Sequence, residues 1–253
     1  MLREYVADLH IHTCLSPCGD LDMSPRDIVR TARSRGIDMI AICDHNTAEN
    51  IEAVMRAARG HELAVLPGME VTSQEEVHIL ALFENLADAL TLQSVIYAHL
   101  PGENDEEAFG LQVVVNEFSE VLSFNRKLLI GATDLSISAV VAAIHRFGGL
   151  AVAAHIDREG FGIIGQIGFI PKDLQLDALE ISPRMTVEEA RKKFEVYSDY
   201  TFISSSDAHF IEHIGQSTTR FMLTEPSLGE IKKALRREDG RMIIAPVDKS
   251  TEM

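Results

Sequence analysis

Short apolar runs alternate with stretches of helical periodicity along most of the chain. The runs at Tyr5–Ile11, Ile37–Cys43, Leu63–Leu66, Val77–Phe83, Leu150–Ala154, Asp177–Ile181, Thr201–Ser205 and Met242–Ala245 are mostly apolar without interruption. That pattern predicts parallel strands covered by helices. The intervening helices carry boundary signals. Ser24-Pro25 reads as an N-cap followed by an N1 proline, with Gly36 as the stop. Thr47 is expected to cap a helix ending at Gly60, and Ser136 one ending near Gly148. Thr186 with Glu189, and Ser227 with Glu230, have capping-box spacing. A β-α-β-α order implies right-handed crossovers and a parallel sheet or barrel.

Two stretches break the rhythm. Residues 84–135 read as a mainly helical insertion with one loop, Pro101–Glu107. Residues 157–176 are Gly-rich and apolar without a period, as in a lid or a long connection. The final residues, DKSTEM, read as a frayed tail.

Composition narrows the function classes. Of 253 residues, 46% are hydrophobic, enough for a large core, and the net charge is −16. That charge argues against a protein that coats long duplex nucleic acid, which needs a Lys/Arg surplus. A local basic pocket is compatible with it. No apolar run is long enough to span a membrane and no signal-peptide core opens the chain, so a cytoplasmic protein is expected. Three cysteines, Cys14, Cys18 and Cys43, form no disulfide framework and suit a reducing compartment.

The chemistry gathers at predicted strand ends. Asp8-Leu-His10-Ile-His12 puts two imidazoles on one face of a strand. Asp44-His45 ends the second strand, Glu70 follows the third, and His78 opens the fourth. His155 and Ser206-Asp207-Ala-His209 close two later ones. Each group alone has an ordinary structural reading: a cap, a satisfied core histidine, a strand-end carboxylate. In a parallel barrel, however, the C-terminal strand ends meet at one rim, where sites are built. So many polar side chains converging without a cation would be costly to bury. Imidazole and carboxylate suit Zn, Mn or Fe. The donors are too many for one ion, so two or three divalent ions are expected, with Glu70 or Asp207 bridging. His61, His99, His145 and His213 fall outside these groups.

The segments DLHIHT (8–13), CDHN (43–46), GMEVTS with EVHIL (68–80), AAHID (153–157) and SSDAH (205–209) stand in order along the chain. As a set they resemble the PHP family (polymerase and histidinol phosphatase). The resemblance implies an α/β fold, a distorted (β/α)7 TIM-like barrel, with 1–253 as one barrel domain. It implies a trinuclear centre in which one ion takes His10, His12, Glu70 and Asp207, a second Glu70, His78 and His155, and a third His45 and His209 with one further ligand. The family's acidic position after HxH holds Pro17 here, leaving Cys18 or Asp20, with Asp20 narrowly favoured.

Such a centre implies a phosphoesterase that uses metal-activated hydroxide on a small phosphomonoester, nucleotide or short oligonucleotide. Arg158 is the first candidate to hold phosphate oxygens and Arg184 the second; Arg126 and Lys127 are weaker. Asp44 and Asp8 are candidates to orient metal-binding histidines. An amidohydrolase-type metal hydrolase and a non-catalytic, metal-stabilised nucleotide-binding module are the rival readings. Neither the substrate nor the oligomeric state is specified by the sequence.

Overall fold

A computed structural model describes residues 1–244; the expected strand end at Ala245 and the DKSTEM tail lie outside the described residues. The elements run β1 (Arg3–Ile11), α1 (Pro25–Ser34), β2 (Met39–Ile42), α2 (Ile51–Ala57), β3 (Ala64–Thr72), β4 (His78–Leu82), α3 (Leu86–His99), α4 (Glu106–Phe109), β5 (Val113–Val115) and β6 (Val121–Phe124). They continue with α5 (Ile137–Arg146), β7 (Leu150–Ala153), α6 (Ile163–Ile167), β8 (Ala178–Ile181), α7 (Val187–Lys193), β9 (Phe202–Ser204), β10 (Thr219–Leu223), α8 (Leu228–Arg236) and β11 (Met242–Ile244).

Nine strands form one curled sheet in the order β11-β10-β1-β2-β3-β4-β7-β8-β9. The expectation of an all-parallel sheet is corrected. β4 runs antiparallel to both β3 and β7, and β10 runs antiparallel to β1 and β11. The reversal of β4 follows from its connection: only five residues, Ser73 to Val77, join it to β3, too few for a helical crossover. A reversed strand presents its first residue at the rim where parallel strands present their last. His78 therefore reaches the same mouth as Glu70, and its strand pairs Thr72 with His78 in register.

The sheet curls until its sides meet near the rim. His12 N–H donates to the Ala208 carbonyl (3.0 Å) and Ala208 N–H to that of His10 (3.2 Å). Lower down, the seam between β9 and β10 is bridged by a side chain: Thr219 Oγ1 accepts from Ser204 N–H and donates to the Ser204 carbonyl, both at 2.8 Å. Inside the sheet, Leu9, Met39, Ala41, Leu80, Val152 and Phe221 pack as one cluster. A second and larger cluster, with Ile28, Ile40, Val54, Ile79, Phe83 and Ile144, fills the space between sheet and helices.

Local signals behave unevenly. Ser24, Ser136, Thr186 and Ser227 each accept a hydrogen bond from the third residue of the following helix, and Thr186–Glu189 forms a complete capping box. Thr47 does not cap α2, whose N-cap is Asn50; its hydroxyl meets Tyr97 Oη instead. The insertion is only partly helical. α3 is its main helix, and Val113–Phe124 forms a separate β5–β6 hairpin whose Val113 and Val115 pack on Cys14. The 157–176 segment contains the short helix α6.

Candidate metal centre

The sheet brings His10, His12, His45, Glu70, His78, His155, Asp207 and His209 to one mouth. All are buried except His209, which is partly exposed. The Glu70 carboxylate stands at the centre. Its Oε1 lies 2.8 Å from His78 Nδ1 and 3.1 Å from His155 Nε2. Its Oε2 lies 3.1 Å from His45 Nδ1, 3.3 Å from His12 Nε2 and 3.5 Å from His10 Nε2. Asp207 Oδ1 completes one side, 3.3 and 3.2 Å from the Nε2 atoms of His10 and His12. His209 stacks on His12 with ring centroids 4.0 Å apart.

Three donor groups are close enough to share an ion: His10, His12, Glu70 and Asp207; His45, Glu70 and His78; and His12, His45 and His209. This partition differs from the one the resemblance implies, because His45 sides with Glu70 and His78 as well as with His209. Of the two candidates for the last ligand, Cys18 is the one turned inward, with Sγ 3.2 Å from His45 Nε2. Although the residue is exposed overall, the enclosure of its sulfur, then the Glu70 and Asp207 carboxylates, push its thiol up to about 12, so it carries a proton unless a cation lies beside it. Asp20 Oδ1 accepts from Asp22 N–H at 2.8 Å, a local turn outside all three groups. On these positions Cys18 stands in contact with a histidine of the donor groups and the Asp20 carboxylate does not.

Hydrogen bonds behind the rings fix which nitrogen faces inward. His10 Nδ1 donates to Glu180 Oε2 (3.0 Å), leaving Nε2 toward Glu70 and Asp207. His12 Nδ1 donates to Ser16 Oγ (2.9 Å), and Ser16 donates to Asp44 Oδ1 (2.7 Å). His209 Nδ1 donates to the Asp207 carbonyl (2.9 Å). Such partners hold the tautomer that presents a lone pair to a metal. Asp44 thus acts on His12 only through Ser16, and otherwise ties the 13–16 turn by accepting from Thr13 N–H and Oγ1. Asp8 holds the other wall: it accepts from Ser206 N–H and Gly215 N–H and touches no histidine of the group. Its burial pushes its carboxyl up to about 6.

Glu180, on β8, is missing from the sequence reading. It also accepts from His155 N–H (3.2 Å), and it is fully buried. A glutamate in the apolar run DALEI was its only sequence signal. Backbone strain marks the same mouth: Asn46, His155 and Asp207 have φ of 54, 30 and 49 degrees.

The donor set fits a cation. Buried His45 Nδ1, His78 Nδ1, His155 Nδ1 and Asp207 Oδ1 make no hydrogen bond, an expensive arrangement in a protein interior unless something else satisfies them. Burial disfavours a charge on His10, yet the Glu180, Asp207 and Glu70 carboxylates outweigh it and hold its pKa well above the ordinary value. His12 is raised to about 9 against its burial by the adjacent Asp207 and Glu70 carboxylates. Burial leaves His45 and His78 below the ordinary value, and His209 at about 4. His45, His78 and His209 are thus neutral imidazoles beside ionised carboxylates, a ligand set for divalent metals such as Zn, Mn or Fe, whereas His10 and His12 would give up a proton when a cation binds.

Of the arginines, Arg158 reaches the centre, with Nη1 2.6 Å from Asp207 Oδ2. Arg184 is exposed, and only its backbone N–H is bonded, to Ser182 Oγ. No side-chain hydrogen bond or ion pair ties it to the donor groups among the described residues. Lys127 donates to the Tyr97 carbonyl, and Arg126 and Lys127 line a different, open depression with Tyr97.

The PHP domain model matches residues 8–168, and the PHP-associated model matches 197–239. The chain belongs to the PHP family. Among relatives, an uncharacterized protein of Methanocaldococcus jannaschii is 30% identical over 124 residues, 46% of this chain and 69% of that one. A 5′-3′ exoribonuclease of Haemophilus influenzae is 32% identical over 85 residues, 32% of this chain and 29% of that one. Endonuclease Q of Pyrococcus furiosus, a lesion-specific enzyme, shares the PHP fold with a TM-score of 0.75 at 17% identity; the match covers 95% of this chain and 58% of that one. Endonuclease Q has also been solved with a 27-mer duplex carrying an abasic lesion. The expectation against long duplexes, drawn from net charge alone, gains no support from that neighbour. Among the described residues no helix is long and apolar enough to cross a membrane.

Proposed function

We propose that this PHP protein is a metal-dependent phosphoesterase acting on nucleotide-type phosphoesters. The observation that carries the reading is that three adjoining donor groups share Glu70, His12 and His45 pairwise, with one arginine at their edge. Divalent ions held there would neutralise phosphoryl and leaving-group oxygens and acidify water. The chain's own residues do the rest. His10, His12, Glu70 and Asp207 would hold one ion, and His45, His78, His155, His209 and Cys18 the remainder. Glu180 and Ser16 keep the His10 and His12 rings aimed. Arg158 binds a phosphate oxygen by a charge-assisted hydrogen bond, exchanging its bond to Asp207 for one to substrate. Because guanidinium stays protonated, Arg158 stabilises charge without supplying a proton. A nucleotide substrate agrees with the nuclease names of the exoribonuclease and endonuclease relatives.

Elemental analysis combined with phosphate release from nucleotides and histidinol phosphate, and with gel-resolved cleavage of short oligonucleotides and an abasic duplex, tests this. Two or three ions per chain and release from one nucleotide class are expected, with Asp207→Ala losing both. Cleavage of a chromogenic amide but of no phosphate ester would replace the reading with an amidohydrolase. Full metal loading with nucleotide binding and no turnover would leave a binding module.

A further inference from the structure

The loop after β7 carries a second rim feature besides Arg158. Phe161 lies flat on the His78 ring, with centroids 4.5 Å apart and planes at 16 degrees, and its residue is 41% exposed. One face of the phenyl is therefore covered by a histidine of the centre, and the ring still opens to solvent. Its backbone has φ 60 degrees, a conformation that costs a bulky residue energy, although a glycine stands on either side of it. The position is pinned from two directions. Its carbonyl accepts the His78 N–H at 2.9 Å. At Gly162 a Cβ would come within 2.6 Å of the Arg158 carbonyl and 2.9 Å of that of His155, so the loop folds tightly on itself. A guanidinium and a phenyl three residues apart are thus fixed at one edge of the donor groups. The other rim phenylalanine, Phe210, is spent edge-on against His213.

We propose that Phe161 is a base-stacking platform: its open face takes the nucleobase of a substrate whose phosphate lies at Arg158 and the metal-binding residues. This rests on the phosphoesterase reading and names its substrate as a nucleotide over a sugar phosphate. Flat rings gain from offset stacking on a phenyl, and every base has such a face. An aliphatic cover would shield His78 as well as an aromatic one, whereas only a flat ring supplies a stacking surface.

The chain contains no tryptophan, so Phe161→Trp gives a fluorescence signal from this position alone. The zinc-loaded variant is titrated with AMP and with ribose 5-phosphate. Saturable quenching by AMP is expected, with ribose 5-phosphate silent but able to reverse it. In parallel, Phe161→Leu keeps an apolar cover over His78 and removes the flat ring. It should weaken AMP binding by about tenfold, the scale of one base stack, and leave ribose 5-phosphate binding and zinc content unchanged. No quenching by AMP, or equal losses for both phosphates in the leucine variant, overturns the platform. Hydrolysis of phosphoesters without quenching would retain the phosphoesterase and refute the platform. Quenching without hydrolysis of any ester would do the reverse.

Discussion

Replacing Glu180 by glutamine tests how the centre is aimed. Glu180 Oε2 holds two groups at once, His10 Nδ1 at 3.0 Å and His155 N–H at 3.2 Å, and the carboxylate is fully buried. Glutamine keeps the size and one acceptor oxygen, so both donors stay within reach of an acceptor. The negative charge is what disappears. A hydrogen bond to a charged group contributes about 1.5–3 kcal/mol and a neutral one about 0.5–1.5. The difference, about 1–1.5 kcal/mol, falls on the basicity and orientation of His10. Metal affinity should therefore drop roughly tenfold, at the lower end of what loss of such a partner costs. Glu180→Ala, which leaves both donors without an acceptor, should approach a hundredfold. Competition with a chromogenic chelator measures both, and circular dichroism checks the fold. Affinity of Glu180→Gln within twofold of wild type would show that His10 is held by its packing, and the orienting role would be wrong.

Four further outcomes follow from other contacts. Arg158→Ala should lower kcat/KM on a nucleotide by about two orders of magnitude, the scale of one lost charge-stabilising donor. Arg184→Ala, at an exposed position, should leave steady-state kinetics unchanged. Glu230 is held well below the ordinary carboxyl value, chiefly by Arg241 at 2.9 Å and then by Thr224. Its folded pKa is depressed, so its contribution is present above pH 4.5 and lost as the pH falls further. Glu230→Gln should flatten that acid limb of a urea-denaturation series, and an unchanged slope would contradict it. Gly68→Ala would place a Cβ 2.6 Å from Cys43 Sγ and 2.8 Å from the Ile42 carbonyl. Thermal unfolding should show a loss of about 1–3 kcal/mol, typical of overpacking.

The sequence was most legible where one residue carried two signals. The HxH on an apolar run, and the acidic and imidazole groups after later runs, marked positions that β1, β2, β3, β7 and β9 do bring together. Caps with a serine or threonine hydroxyl three residues before a free N–H were legible for the same reason. The reversed strands were not. A buried antiparallel strand such as HILAL reads like a parallel one, because burial on both faces erases the alternation that would reveal its neighbour's direction. The β5–β6 hairpin was missed because β6 is exposed throughout, which leaves VLSF without an inward and an outward side. Glu180 and the inward turn of Cys18 depend on partners more than twenty residues away, and no local pattern encodes them.

The seam where β9 meets β10 and β1 has a consequence for how the protein breathes. Backbone pairing there thins to a few bonds at the rim and one threonine hydroxyl below, yet the Ser206–Asp8 bond it supports spans 198 residues of chain. His10 and His12 stand on one side of this seam and Asp207 and His209 on the other. An ion gripping both sides would tie residues almost as far apart in the chain as Ser206 and Asp8, a link whose entropic benefit grows with the chain it encloses. Chelation should then speed amide exchange first at Phe202–Ser204 and Thr219, well before the paired interior of β2 and β3 is touched. A cation held by both sides would double as the latch of the curled sheet.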